Sequence, residues 1–308
     1  MATKKDGKDD DPLARLMEVD EDGLTFANKT AQWIAYERHV ESERSDRLFY
    51  DPLAKHLAGK YGKMLSDFFS TPHAGYTFPG LGDEGFIRYH AARTKLISSH
   101  IEQWSTSIRT LDANAQKQVL NLGAGYDSRA FWDASLADVD LYIEVDEAQV
   151  NGAKENLLQQ TGTDLPKLIC PRQCISLDFA KETALDVSKH GFRSNVPTLW
   201  ILEGIIMYLE KDAVQRLYKD IVTLSCEGSY VIVNVVQTSK EHHRAEFADS
   251  IFLADDAAGW TRASSSPQVV MFGDEAFDFG RYNNNSSSDE ALPPNKNLGF
   301  CFYEKVKG

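Results

Sequence analysis

"QVLNLGAGYDSRAFW", Gln118 to Trp132, decides how the rest of the chain is read. An apolar run of strand length breaks on Gly-Ala-Gly, and a tyrosine, an aspartate, a serine and an arginine crowd into the same turn. In open parallel sheets, ligands sit outside the carboxyl ends of the strands. Glycine at such an end lets the backbone approach a ligand and take torsions that a side chain forbids. Gly123 and Gly125 are therefore expected to floor a pocket. "DSRAFWDA" is expected to begin a helix whose free N–H groups face that pocket.

Outward from this turn, strand patterns alternate with helical ones. "DLYIEVDE" reads as a second strand, "KLICPRQCISLDF" contains a third, "PTLWILEGIIMYL" a fourth, and "SYVIVNVV" is a fifth. "AQVNGAKENLLQQTG" and "EKDAVQRLYKDIVTLSCEG" carry helical spacing between them. That alternation predicts crossover units, hence an α/β fold with a mostly parallel sheet flanked by helices. "LGFCFYEKV" is expected to end the sheet as an antiparallel strand.

Upstream, residues 13–105 read as mostly helical. "TAQWIAYERHVESER" has helical spacing, "DPLAKHLAGKYG" is capped by Asp51 with Pro52 in its first turn, and "FIRYHAARTKLISSHIEQWSTSI" is a long amphipathic helix. "STPHAGYTFPGLGDEG" and "NNNSSSDEALPPNKN" read as loops. After a charged tail at 1–12, a single domain at 13–308 is expected, with 13–105 as a helical lid over the sheet core of 106–308.

The 308 residues are 42% hydrophobic and 26% charged, enough to bury a large core without staples. A net charge of -13 argues against a broad basic surface for nucleic acid. No run approaches the roughly 18 apolar residues of a membrane span. The start, "MATKKDGKDDDP", lacks the apolar stretch of a secretory signal. The expectation is a cytoplasmic protein. Cys170 and Cys174 form CxxxC with no second close pair, which favours free thiols over a zinc cluster, and no metal is expected.

The strand ends carry acids. In "YIEVDE", Glu144 and Asp146 share one side of the pleat. An acid about 20 positions after the glycines is where ribose hydroxyls are held, though both would also serve as caps for the next helix. In "SLDF", Asp178 would accept from an adenine amino group beside Leu177 and Phe179, or would cap a helix. In "ILEG", Glu203 sits in an apolar setting that offers nothing local to satisfy it, and burying it alone is costly. Ser128 stands where the dinucleotide fingerprint has its third glycine, which counts against a nicotinamide cofactor.

Taken in order, "QVLNLGAGYDSRAFW", "LYIEVDE", "SLDF" and "PTLWILEGIIMYLEKDAVQRLY" resemble the leucine carboxyl methyltransferase family, and most nearly its small-molecule branch, which uses S-adenosylmethionine. "TAQWIAYERHVESERSDRLFYDPLAKHLAG" and "AARTKLISSHIEQW" extend the likeness, which runs from 28 to 236, roughly two thirds of the chain. The resemblance implies a Rossmann-like methyltransferase fold with S-adenosylmethionine as cofactor. It implies Arg93 at the methionine carboxylate and Gly123 and Gly125 along the methionine and ribose. Asp146 would take the ribose hydroxyls, with Glu144 as the alternative; Leu177 and Asp178 would hold the adenine; Glu203 would lie near the amino group and the reacting methyl. Asp127 and Arg129 match the family's turn, either as pocket residues or as an ion pair that fixes it.

The expected reaction is O-methylation of a small molecule, with a carboxylate as one acceptor and a protein carboxyl terminus as a weaker option. An NAD-dependent oxidoreductase and a non-catalytic S-adenosylmethionine-binding module are the alternatives. A carboxylate needs no base, whereas a hydroxyl, thiol or amine does. His73, His90, His242 and His243 are candidate bases, and Tyr36, Arg38, Arg88 and Tyr89 are candidates to hold an anionic substrate. "AFWDASLAD", following Arg129, departs from the branch, and residues 237–266 and 281–296 match nothing in it.

Overall fold

The computed structural model describes residues 18–70, 85–181, 185–236, 259–263, 269–282 and 298–306. Eight strands among them form one sheet: β1 (Gln118–Leu122), β2 (Leu141–Asp146), β3 (Arg172–Ser176), β4 (Thr198–Leu202), β5 (Tyr230–Val236), β6 (Trp260–Arg262), β7 (Val270–Met271) and β8 (Leu298–Lys305). The order is β3-β2-β1-β4-β5-β8-β6, with β7 also paired to β8. The first five are parallel to one another, and β8 is antiparallel to β5, β6 and β7. β8 is therefore not the end of the sheet, as expected, because the short strands β6 and β7 use its free edge. Order reverses between β1 and β4, which leaves a crevice at their carboxyl ends.

β1 and β4 are buried at every position, as strands covered on both faces must be. Their side chains alternate between two cores. Val119, Tyr142, Leu199, Ile201 and Ile232 share a cluster with the N-terminal helices, while Leu120, Leu122, Ile143, Val145, Trp200 and Leu202 pack on the other face.

The helices are α1 (Phe26–Ser42), α2 (Ala54–Leu57), α3 (Gly62–Ser70), α4 (Gly85–Leu111), α5 (Ala148–Gln160) and α6 (Lys211–Leu224). Thr25 caps α1 by accepting from the Asn28 N–H. α6 lays Val214, Leu217, Tyr218 and Ile221 on the second core. Ala31 and Trp33 of α1, Leu65 of α3, and Phe86, Ala92, Leu96 and Ile97 of α4 belong to the first. Asp51 caps only a short turn before α2, because one of its oxygens is taken by Arg38 and Ser128.

The helix expected at "DSRAFWDA" is absent. Two single 3-10 turns, Arg129–Phe131 and Ala134–Leu136, join β1 to β2 instead. Asp127 and Asp133 each accept an N–H two residues on, which closes tight turns where a helix would run. α4 fills the vacant layer, with Ser98 donating to Asp133 Oδ2 at 2.6 Å.

The far end of the chain returns to the first helix. The buried Arg281 donates from Nη2 to Glu41 Oε1 at 2.7 Å and to the Asp46 carbonyl at 2.7 Å. Residues 1–17, 71–84, 237–258 and 283–297, which include the expected tail and both expected loops, lie outside the described residues.

Candidate active site

Gly123 and Gly125 have φ of 72° and 49°, in the left-handed region that disfavours side chains. A Cβ added at Gly123 would lie 2.8 Å from Ile205 Cβ. The turn does not face the crevice with a helix N-terminus. It is held by the next strand: Gly125 N–H donates to Asp146 Oδ2 at 2.7 Å, and Glu147 N–H to Asp146 Oδ1 at 2.7 Å. Burial pushes the Asp146 carboxyl above the ordinary aspartate range, against these two bonds.

Glu144 shares Asp146's side of the pleat but does not reach the crevice. It is fully buried, bonded to Lys154 Nζ at 2.6 Å and to Arg172 at 2.7 and 3.0 Å. Of the two acids weighed for the ribose, only Asp146 lines the cavity.

Glu203 ends β4 and finds its partners far away in sequence. Its Oε1 is 2.8 Å from Arg93 Nε on α4, and its Oε2 accepts from Arg129 Nη1 at 3.0 Å. Burial would raise its pKa, but the two guanidinium charges hold it below the ordinary glutamate range. Arg129 Nη1 also donates to Asp127 Oδ2 at 2.5 Å, so Asp127 and Arg129 do form the ion pair that fixes the turn. Asp127 accepts further bonds from Asn121 Nδ2 at 2.7 Å and Tyr142 Oη at 3.1 Å. Burial opposes its ionisation, yet the charges of Arg129, Arg38 and Lys154 bring its pKa to about 2.

Asp178 accepts the Ala180 N–H at 3.0 Å and pairs with Lys181 at 2.7 Å, so it caps a turn while also lining the cavity. Leu177 is not among the residues that line the cavity. It lies two residues beyond Ile175 on the same side of the chain and packs with it against the second core. Phe179 is on the wall instead.

These strand ends open into a cavity of about 420 Å³. Arg93, Gly123, Gly125, Asp146, Asp178 and Glu203 are among its polar lining. Trp33, Ile34, Phe69, Phe86, Met207 and Leu298 make an apolar side, much of it from α1, α3 and α4. Arg38 bonds Asp51 at 3.0 Å and the Tyr126 carbonyl at 2.6 Å, and Tyr89 Oη accepts from Asn234 Nδ2 at 2.8 Å. Both are thus held in place. His73, His242 and His243 lie outside the described residues.

One residue of this region escaped the sequence reading. Glu37 is wholly buried in α1 and accepts from Trp33 Nε1, from Ser66 Oγ at 3.0 Å and from His90 Nδ1. Its signal was available: Glu37 follows Trp33 by four residues, on the same helix face.

Comparison with known proteins completes the picture. The family model for leucine carboxyl methyltransferase matches residues 31–222. The chain belongs to the leucine carboxyl methyltransferase family. A relative in Parafrankia sp., named "Putative S-adenosyl-L-methionine-dependent methyltransferase", is 31% identical over 83% of this chain and 78% of its own length. A Mycobacterium tuberculosis protein of the same description is 30% identical over 69% of this chain; the chain spans 62% of that relative's length. A crystal structure from Thermobifida fusca, described as a "putative methyltransferase", superposes with a TM-score of 0.50 at 14% identity, over 81% of this chain and 89% of that one, and shows the shared Rossmann-like fold. Arg93, Gly123, Gly125, Asp146, Asp178 and Glu203 all lie within the motifs that had suggested this family and inside the matched span.

Proposed function

We propose that this family member methylates an oxygen of a small molecule held on the apolar side of the cavity. The chain is an S-adenosylmethionine-dependent methyltransferase. The finer reading rests on one observation: the charged groups at the strand ends, the Arg93–Glu203 pair among them, and the aromatic side chains of the N-terminal helices line one cavity.

The polar side fits the cofactor. Arg93 pairs with Glu203 through Nε at 2.8 Å and lines the cavity, so its remaining N–H groups would meet the methionine carboxylate. Glu203 would offset an ammonium. The side-chain-free floor at Gly123 and Gly125 leaves room for the chain of the molecule, Asp146 would hold the ribose hydroxyls, and Asp178 would lie by the adenine. When bound, S-adenosylmethionine supplies a methyl group on a positively charged sulfur, already a good leaving group. What remains for the protein is alignment and exclusion of water. The helices of residues 13–105 would serve as the lid that does this, since α1, α3 and α4 carry the apolar wall.

Calorimetric titration with S-adenosylhomocysteine, with NAD as control, tests the reading. Binding of the first alone is expected. Binding of NAD alone would replace the methyltransferase reading with an oxidoreductase.

A further inference from the structure

We propose that His90 is the general base of the reaction: Nε2 accepts the proton of a hydroxyl acceptor, while Glu37 holds the ring. This rests on the methyltransferase reading above and narrows it, because a carboxylate acceptor would leave such a base without work.

The donors around Glu37 fix the tautomer. Trp33 Nε1–H can only donate, and it donates to Glu37 Oε1 beside Ser66 Oγ. The other oxygen, Oε2, meets His90 Nδ1. A carboxylate with both oxygens accepting has no proton to give. With Glu37 ionised, His90 Nδ1 carries the hydrogen and Nε2 keeps its lone pair. His90 lines the cavity, and with Nδ1 turned to Glu37, Nε2 is the nitrogen left to meet a ligand.

The base also stands where the reaction would occur. His90 precedes Arg93 by three residues, so both lie on one face of α4, and Arg93 reaches Glu203. Trp33 and Phe86 pack around the ring, with centroids 5.3 and 5.9 Å away. Phe69 stacks on Trp33 at 4.3 Å. This aromatic wall suits an apolar, ring-bearing acceptor with a hydroxyl group.

The charged and titratable groups that face His90 are Glu37 of α1, Arg93 of α4 and Glu203 beyond β4, with the Tyr89 ring of α4 5.2 Å away. Burial and the Arg93 charge lower its pKa against the pull of Glu37 and Glu203, so the ring is neutral at neutral pH and ready to accept. In the step, the acceptor O–H bond breaks and its proton passes to Nε2. The oxygen electron pair forms the bond to the methyl carbon, and the carbon–sulfur pair leaves with sulfur. The Glu37 carboxylate then balances the new imidazolium.

The test uses the full chain and two ligands that differ by the reacting group. Ring nitrogen-15 resonances of His90, assigned with His90→Gln, are titrated in the S-adenosylmethionine and S-adenosylhomocysteine complexes. The expected result is Nδ1-protonated imidazole that takes its second proton about one pH unit lower beside the sulfonium, whose positive charge disfavours another. Identical titrations in the two complexes, or a hydrogen on Nε2, would overturn the proposal. Failure of both ligands to bind in calorimetry would overturn the methyltransferase reading beneath it.

A paired acceptor assay reads the same point through chemistry. Methyl 4-hydroxybenzoate offers only a hydroxyl, and benzoate only a carboxylate. Methylation of the first is expected, with kcat/KM falling as pH drops through the His90 titration and falling about 10²–10⁴-fold in His90→Gln. The glutamine amide retains a donor for Glu37. Methylation of benzoate alone, or a His90→Gln variant with an unchanged pH profile, would refute a base at this position.

Discussion

Arg93 Nε and Glu203 Oε1 lie 2.8 Å apart on the cavity wall, one carried by the long helix α4 and the other by the end of the central strand β4. The contact ties the lid helices to the sheet at the proposed methionine end of the site. Arg93→Ala is expected to weaken S-adenosylhomocysteine by about 1.5–3 kcal/mol, the worth of a hydrogen bond to a charged group, and adenosine far less. Calorimetry with both ligands checks this. Equal losses would remove Arg93 from the carboxylate.

Asp146 and Glu144, two residues apart on one side of β2, should fail in opposite ways. Asp146→Ala removes the proposed ribose ligand and also the acceptor for two turn N–H groups. Its expected signature is an affinity loss for both S-adenosylhomocysteine and adenosine, of about 1.5–3 kcal/mol.

Glu144→Ala strands Lys154, whose side chain is fully buried. Removing one partner of such a pair costs about 3–5 kcal/mol. Urea unfolding should therefore show a large drop in stability, while the folded fraction binds ligand as before. A stable Glu144→Ala protein that no longer binds would put Glu144 back in the site.

Asp127 sets an acid limit. Its pKa is about 2 in the fold against an ordinary 3.8, so the stability it contributes is complete above about 3.8 and is lost as pH falls toward 2. The gap is worth about 2 kcal/mol. Asp127→Asn should be less stable at neutral pH and should lose correspondingly less between pH 4 and 2. Parallel stability curves for the two proteins would show that Arg129 does not hold this carboxylate.

Gly123→Ala tests the floor of the cavity. The added Cβ meets Ile205 at 2.8 Å on a backbone with φ of 72°. A loss of stability of about 1–3 kcal/mol is expected from the torsion alone. Ile205→Gly in the same chain removes the facing Cβ as well and should relieve the contact and not the torsion. Full rescue would mean that glycine is needed for space only.

The alternation of apolar runs made the parallel core legible, because strands buried on both faces leave an unmistakable pattern: β1 through β5 and β8 all lie where the text placed them. The crossover after β1 was misread since "DSRAFW" has helix-like content, and only the tertiary position of α4 and the capping by Asp127 and Asp133 turn it into two short turns. Arg93, Gly123, Gly125, Asp146, Asp178 and Glu203 do converge on one cavity. Leu177 does not, because a side chain's direction depends on where the strand pairing stops, and Leu177 N–H still bonds the Asp146 carbonyl. The partners of Glu203 and of His90 were invisible for a simpler reason: they are 110, 74 and 53 positions away.

The bond from Arg281 to Glu41 spans 240 positions and closes over α1, the helix that also carries Glu37 and Arg38. Glu41 is nearly inaccessible to water, and without Arg281 its buried charge would keep the Leu48 N–H and the partly exposed Arg44 among the described residues. During synthesis α1 emerges early, and its pair with Arg281 can form only after most of the chain has followed. A ribosome-bound fragment ending before Arg281 would hold the glycine turn while Glu41, on the helix that roofs it, still lacked this partner.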